Sequence, residues 1–489
     1  MSIMNRRMQR ALPEYDGPLW FRPYSRHILQ ASKKKVYAHY FPMYPLQKYG
    51  ANWADYYSTE WLNPAGEGGV HATIGGWLRD RPLPIPTNKN ATMEHENYVR
   101  EVTRARDAGL DGFFVDILDI SNPNQATADY FWGVFTGLLD AAAEVDPNFK
   151  IAPMFDDTNA SVDLLISRLS TVLAHPALLR LDDGRLVISA FSPDQVAYPN
   201  GFWQTFLTAV QLKCNEMTAF VPCMEDYWAH VDTFAPISYG IGVWGWKNPT
   251  DAQLTLAIGA DVKKRGLLWM APVSLQDTRP YTLSWVEANH SQTLRDTWQQ
   301  AIQTDADWIQ MVTWNDYSEN TQFSPSSHVG WFPLEVSSYY ITALKTGQYP
   351  AVAADVLYLS HRIQPYTALA TYVPPTGSYT PMILHGAESG YDTVEVLAFL
   401  TTPASLTIDA GGSVTTKAIA AGMSVTRVDL HPGVIQTWIT RNSTTSARIS
   451  SPFTVTTTPY VQDLNYYFLS SRRGNSGSGS WNDTIETTA

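Results

Sequence analysis

Eight short apolar runs punctuate the first two thirds of the chain. They are KVYAHYFP (35–42), GFFVDIL (112–118), KIAPMFDD (150–157), LVISAF (186–191), FVPCMED (220–226), ISYGIGVW (237–244), LWMAPVSL (268–275) and WIQMVTWND (308–316). Most are almost continuously apolar rather than alternating, the pattern of strands buried on both faces. Longer segments with helical character lie between most of them, such as EHENYVREVTRARDAG, ATADYFWGVFTGLLDAAAEV, VDLLISRLSTVLAH and SQTLRDTWQQAIQTDA. Strands alternating with helices predict an α/β fold with a parallel sheet, and eight of them predict a closed (β/α)8 TIM barrel. A doubly wound open sheet is the second choice. No G-x-G-x-x-G or P-loop follows the first run, so nothing supports nucleotide binding.

The pattern changes further on. From about Asp392 the chain is Thr, Ser, Val and Gly in short alternating runs, TVEVLAFL, ASLTIDA, SVTRVDLHPG and VIQTWITRN among them. Period and turn residues predict a small C-terminal antiparallel β domain, a sandwich. The expected division is an N-terminal extension over 1–34, a catalytic barrel over 35–350, a connecting segment over 351–391, the β domain over 392–470 and a flexible tail over 471–489.

Charge and composition narrow the partners. A net charge of -12 argues against a nucleic-acid partner, which needs a basic surface. Only 16% of residues are charged, against 17 Trp, 26 Tyr and 18 Phe, a balance that suits a neutral, hydroxyl-rich ligand. Two cysteines, Cys214 and Cys223, make neither a disulfide framework nor a multi-cysteine zinc site. No apolar run is long enough to span a membrane. The N-terminal stretch is basic and lacks the apolar core of a signal peptide. Sequons at Asn90, Asn159, Asn289, Asn442 and Asn482 mildly favour secretion. A monomer is expected.

Barrel enzymes build their sites at the C-terminal ends of the strands. Those ends carry His39, Asp116, Asp156 with Asp157, Glu225 with Asp226, Trp244, Asp277 and Asp316, with Glu319 just beyond. Aromatic residues accompany them, including Trp314 and Tyr317. Acids on several strands among aromatic rings are what glycoside cleavage needs. Rings stack on sugar faces, one carboxyl protonates the leaving oxygen, and a carboxylate acts as base or nucleophile. Asp156 and Asp157 also read as turn or helix-cap residues, and His39 as a structural hydrogen-bonder. His39, His71 and His95 lack metal-ligand spacing, so no metal and no cofactor is expected. Absence of G-x-S-x-G speaks against a serine hydrolase.

Asp316 and Glu319 are three apart in TWNDYSEN (313–320). A turn brings such residues within about 7 Å at Cα, and an extended trace leaves them about 10 Å apart. Both allow the roughly 6.5–9.5 Å of an inverting pair, and the turn also allows the shorter retaining distance. Spacing therefore leaves the stereochemistry open.

TWNDYSEN resembles the WNDYGES-like signature of glycoside hydrolase family 71, the fungal α-1,3-glucanases or mutanases. KVYAHYFP, GGWLRDRPLP, ARDAGLDGFFVDIL and the Thr-rich C-terminal part also look like segments of that family, over roughly 35–460 and in the same order. The resemblance implies a (β/α)8 barrel with a β-sandwich appended, endo-hydrolysis of α-1,3-glucan with inversion, and an extracellular or cell-wall location. It places the catalytic pair on Asp316 and Glu319. Ser318 stands where the family has Gly, and Asn320-Thr321 where Ser-His is common. Glu319 is taken as the acid and Asp316 as the base. Asp116, Asp156, Glu225, Asp226, Asp277, His39, Trp244, Trp314 and Tyr317 are taken as substrate-binding or wall residues. A barrel glycosidase acting on another α-linked glycan, such as α-mannan, and a non-catalytic polysaccharide-binding protein are the competing readings.

Overall fold

The computed structural model describes residues 19–195, 198 and 201–473. The eight expected strands form, each followed by a helix. They are β1 (Lys35–Tyr40), β2 (Gly112–Leu118), β3 (Lys150–Asp156), β4 (Leu186–Ala190), β5 (Thr218–Phe220 continuing as Cys223–Met224), β6 (Gly240–Val243), β7 (Leu268–Ser274) and β8 (Trp308–Val312). The helices are α1 (Met93–Asp107), α2 (Gln125–Val145), α3 (Val162–Ser170), α4 (Phe202–Cys214), α5 (Tyr227–Phe234), α6 (Leu254–Lys264), α7 (Gln292–Gln303) and α8 (Phe332–Thr346). Pro222, which has no amide proton to donate, interrupts β5. Val221 N still donates to Ile188 O and Gly242 N to Pro222 O, both at 2.9 Å. β8 pairs in parallel with β1 and with β7. Every strand thus has two neighbours, and the barrel is closed.

Alternation sorts each strand between two cores. Tyr37, Phe114, Ala152, Met154, Val187, Ala219, Val221, Cys223, Met270 and Trp308 fill the barrel interior. Val36, Phe113, Val115, Ile151, Phe155, Ile188, Ile241, Trp269, Val273 and Ile309 face the helices. Burial of both sets explains why the runs read as continuously apolar.

The C-terminal domain is two four-stranded antiparallel sheets. Their strands are β9 (Val356–His361), β10 (Thr393–Leu400), β11 (Ala404–Ala410), β12 (Ser413–Ile419), β13 (Gly422–Asp429), β14 (Ile435–Arg441), β15 (Thr444–Ser450) and β16 (Tyr467–Ser470), ordered β13-β10-β9-β16 and β12-β11-β14-β15. β9 lies within 351–391, the segment expected only to connect. The first sheet is covered on both faces. Leu357, Leu359, Val396 and Ala398 pack into the sandwich, while Tyr358, Leu397, Phe399 and Phe468 join the core against the barrel helices. Phe332 of α8 stacks on Phe468 with centroids 4.1 Å apart, and Trp20 stacks on Phe399 at 3.6 Å. Buried polar bonds add to this seam. Arg362 pairs with Glu287 at 2.9 Å, and the His290 ring nitrogens bond Ser360 and Thr393.

Asn90, Asn159 and Asn442 are exposed. Asn289 is not free for a glycan, because its amide donates to Gln292 and its carbonyl accepts from Arg427. Asn482 and the rest of the expected tail beyond Arg473 lie outside the described residues. Both cysteines are free thiols, Cys223 inside the barrel. Among the described residues no helix is long and apolar enough to cross a membrane.

Candidate active site

Inward parity carries the polar residues of the upper strand ends to one place. His39 is the inward residue above Tyr37, and Asp116 the one above Phe114. Their Nε2 and Oδ2 atoms are 3.4 Å apart, both side chains buried. Phe191 and Trp244 close on the His39 ring edge-to-face, with centroids at 5.6 and 5.0 Å. Gln310 of β8 offers its amide to His39 Nδ1 at 3.5 Å. Burial pushes the His39 pKa down to about 3, helped by Lys247 and opposed by Asp316. His39 is therefore a neutral imidazole. Burial and the charge of Asp316 raise Asp116 well above the ordinary carboxylate range. Its Oδ1 is buried without a hydrogen-bond partner. Asp156 sits on the same rim, pushed up to about 9 by burial and by Asp116, Asp157 and Glu225.

The segment after β8 supplies the other two acids. The Val312–Thr313 peptide is cis, and Trp314 N donates to His39 O. Asp316 is 5% exposed. Its Oδ1 accepts from Ser318 N (2.9 Å), Ser318 Oγ (2.7 Å) and Glu319 N (3.1 Å). The 316–319 segment is therefore a turn folded on its own first acid. Burial raises the Asp316 pKa, while these donors and Arg279 favour the carboxylate. Glu319 has a 12% exposed side chain. Its Oε1 takes Arg279 Nη1 at 2.8 Å and Tyr281 OH at 3.3 Å. Its Oε2 is buried and unpartnered. Burial and Asp316 push Glu319 up to about 8 against the pull of Arg279.

Several expected contacts fall elsewhere. Trp314 is fully buried on the helix side, packed on Phe113, with its indole N–H on Glu101 at 3.2 Å. Tyr317 is also fully buried, beneath the site with Tyr44, Tyr57 and Trp61. Neither lines the wall, because the chain leaves strand geometry at Val312 and alternation stops there. Asp226 is exposed and caps α5, accepting from Ala229 N at 3.2 Å. Asp157 holds the β2–α2 loop through Ser121 N and Oγ. Asp277 is buried and held by Arg279 through two bonds of 2.8 and 2.7 Å. Glu225 is exposed beside Asp156. Sequence reasoning missed Arg279, Tyr281 and Lys247. Lys247 is buried with its ammonium 4.6 Å from the Trp244 ring centre, and burial lowers its pKa to about 8. A basic residue two beyond Asp277 was the available signal for Arg279.

Among the described residues no three His, Cys, Asp or Glu side chains are grouped to hold a metal ion. A (β/α)8 barrel whose strand ends gather partly buried carboxylates among aromatic rings is the framework of a barrel glycosidase. Residues 87–480 match the model of glycosyl hydrolase family 71, and the chain belongs to that family. It is a glycosidase. A mutanase of Penicillium rubens is 25% identical over 418 residues, covering 78% of this chain and 86% of that protein. A glucan endo-1,3-alpha-glucosidase of Schizosaccharomyces pombe is 23% identical over 356 residues, covering 65% of this chain and 77% of that one. Among solved structures, a GH99 endo-alpha-mannosidase from Bacteroides thetaiotaomicron matches with a TM-score of 0.48 and 14% identity, over 64% of this chain and 97% of that one.

Proposed function

We propose that the protein cleaves α-1,3-glucan within the chain and with inversion, Glu319 acting as general acid and Asp316 as general base. The observation that carries this is the unlike hydrogen bonding of two carboxylates that burial pushes up alike. Asp316 receives three donors on Oδ1, which favour its ionised form. Glu319 keeps Oε2 buried and unpartnered and is pushed up to about 8, so it holds a proton at neutral pH. That proton goes to the glycosidic oxygen as the bond to the anomeric carbon breaks. Asp316 takes a proton from the water that attacks the opposite face, and the product anomer is inverted. Asp116, with its free Oδ1, and Asp156 meet the hydroxyls of the sugar being cleaved, and Trp244 with Phe191 covers one of its faces. The name of the Schizosaccharomyces pombe relative, a glucan endo-1,3-alpha-glucosidase, supports α-1,3-glucan as the substrate, and action on such a polymer fits an extracellular or cell-wall location.

Reducing-sugar release from insoluble α-1,3-glucan tests the reading, with β-1,3-glucan, starch and α-mannan as controls. Wild type should release sugar from α-1,3-glucan alone, and Glu319→Gln should not. Product anomers followed by NMR during the first turnovers should be β. Release from a different polymer would discard the substrate, and α products would discard inversion.

A further inference from the structure

The site does not end at Glu319. Tyr281, which touches Glu319 Oε1, packs against Trp77 with ring centroids 5.2 Å apart, and Trp77 packs against His71 at 4.7 Å. All three rings are partly exposed, Tyr281 the most at 37%. The rings beneath them, Tyr44, Tyr57 and Trp61, are buried. The row comes from two loops, the one after β7 and the long one between β1 and α1. It is also fixed in place. The Trp77 indole N–H donates to Tyr44 OH at 2.9 Å. Tyr44 is buried against the catalytic segment, its backbone O accepting from Asn315 Nδ2 at 3.4 Å. His71 Nε2 lies 3.4 Å from Glu67 Oε2. Partly exposed rings already held by their neighbours carry little entropy cost on binding, and aromatic faces suit the apolar C–H faces of sugars.

We infer that His71, Trp77 and Tyr281 form a stacking site for the sugars on the leaving-group side of the cleaved bond. The direction follows from the carboxylates. His39, Asp116 and Asp156 rise from strands at the barrel mouth and surround the sugar whose anomeric carbon reacts. The ring row begins at Glu319, through Tyr281 on its Oε1, and Glu319 is the acid that protonates the leaving oxygen. From there it leads over loop residues through Trp77 to His71. This inference rests on the proposed roles of Asp316 and Glu319.

Two substrate series separate the two sides of the bond: α-1,3-linked glucan oligosaccharides of increasing length, and the α-glycosyl fluorides of the same sugars, whose leaving group is fluoride. Trp77→Ala should lower kcat/KM on the oligosaccharides about tenfold or more beyond its effect on the fluorides, and Trp77→Phe should recover most of that loss. Equal losses on both series, or none on the oligosaccharides, would overturn the assignment. Binding gives a readout independent of the chemistry. Glu319→Gln and Glu319→Gln/Trp77→Ala are titrated with soluble oligosaccharides of α-1,3-glucan and α-mannan. Weaker binding by the double variant to either supports the row, even where wild type leaves α-1,3-glucan intact and the proposed substrate fails. Unchanged binding, or none by either variant, overturns it.

Discussion

Arg279 sets how far up the pH scale this enzyme should work. It is one cation between two acids, held by Asp277 through two bonds and reaching Glu319 Oε1 at 2.8 Å. Coulomb's law at that distance, with an effective dielectric of about 20, gives about 6 kcal/mol. That is an upper bound, because Asp277 already neutralises the guanidinium. The net value of a charge-assisted hydrogen bond, about 1.5–3 kcal/mol, is the better guide. At 1.36 kcal/mol per pKa unit it corresponds to about one to two units. The sign is fixed by the role proposed for Glu319. A general acid must carry its proton, and Arg279 favours the ionised form. Replacing the cation by a neutral residue therefore raises the Glu319 pKa and extends activity to higher pH.

The assay is kcat/KM on a soluble α-1,3-glucan oligosaccharide from pH 4 to pH 10. Wild type should lose activity near pH 8, where Glu319 ionises. In Arg279→Gln the alkaline limb should move up by about one to two units, whatever happens to the plateau. Arg279→Lys, which keeps the charge, should hold the limb near its wild-type position. Arg279→Gln also strands Asp277, so Asp277→Asn/Arg279→Gln is made beside it to keep the fold intact. A limb that stays put in Arg279→Gln, or moves toward acid, refutes Glu319 as the acid tuned by Arg279.

Further outcomes follow from the same geometry. Glu319 has its pKa raised on folding, from the ordinary 4.5 to about 8, so its contribution to stability is lost as pH rises through that window. The Tm advantage of Glu319→Gln over wild type should accordingly grow between those pH values and level off above, as read by thermal denaturation at fixed pH steps. Asp316→Asn should lower kcat by about two orders of magnitude or more with an unchanged circular dichroism spectrum, since an amide oxygen still accepts from Ser318 and Glu319. Asp226→Ala should cost about 1 kcal/mol in urea denaturation through loss of the α5 cap and leave KM within about twofold of wild type. Arg362→Ala strands Glu287 in the seam between the domains and should cost about 3–5 kcal/mol, with barrel and sandwich unfolding together in calorimetry. A separate, unshifted barrel transition would show that the seam does not couple them.

The barrel was legible because strands buried on both faces leave a signal that turns do not, a continuous apolar run at the right length. Helices α5 and α8 were not picked out. YWAHVDTF is too short to show a period, and FPLEVSSYYITALKT is buried almost all round, so it has no polar face to reveal it. β9 has the same two-sided burial as the barrel strands, but VLYLSH stands outside the alternation of strands with helices that made those strands legible. In the site, the two-residue period of the strands separates the residues that arrive from those that do not. His39, Asp116, Asp156, Glu225 and Trp244 share the inward parity of Tyr37, Phe114, Met154, Cys223 and Gly242. Asp157 and Asp226 have the other parity and do cap and loop work. Trp314 would have passed the same parity test and still packs outward. Where a strand ends is a matter of backbone geometry beyond the hydrophobic pattern. Arg279, Lys247 and Tyr281 reach the site across sequence distances that no local pattern spans.

The C-terminal domain reaches further than the helices it covers. The segment just before β16 runs beneath the two loops that hold the proposed acid. Tyr466 N donates to the side chain of Gln276 at 3.0 Å, next to Asp277. Asn465 Nδ2 donates to Asn320 Oδ1 at 2.9 Å, and Asn320 follows Glu319 directly. Asn320 Nδ2 in turn donates to Thr278 O, and Thr278 N donates to Glu319 O, so the loops after β7 and β8 are tied to one another as well as to the sandwich. These bonds are buried, where an unmade partner is costly and a made one restricts motion. Asn320 also sits at φ 55°, a conformation asparagine tolerates better than most residues. The Asn at this position thus has two structural reasons, its backbone angle and its bond to the sandwich. A carboxyl that must meet a glycosidic oxygen within a fraction of an ångström gains from a support that does not move with the loop. The sandwich supplies that support, from outside the barrel, to the segment that carries the proposed acid, although none of its strands lines the site.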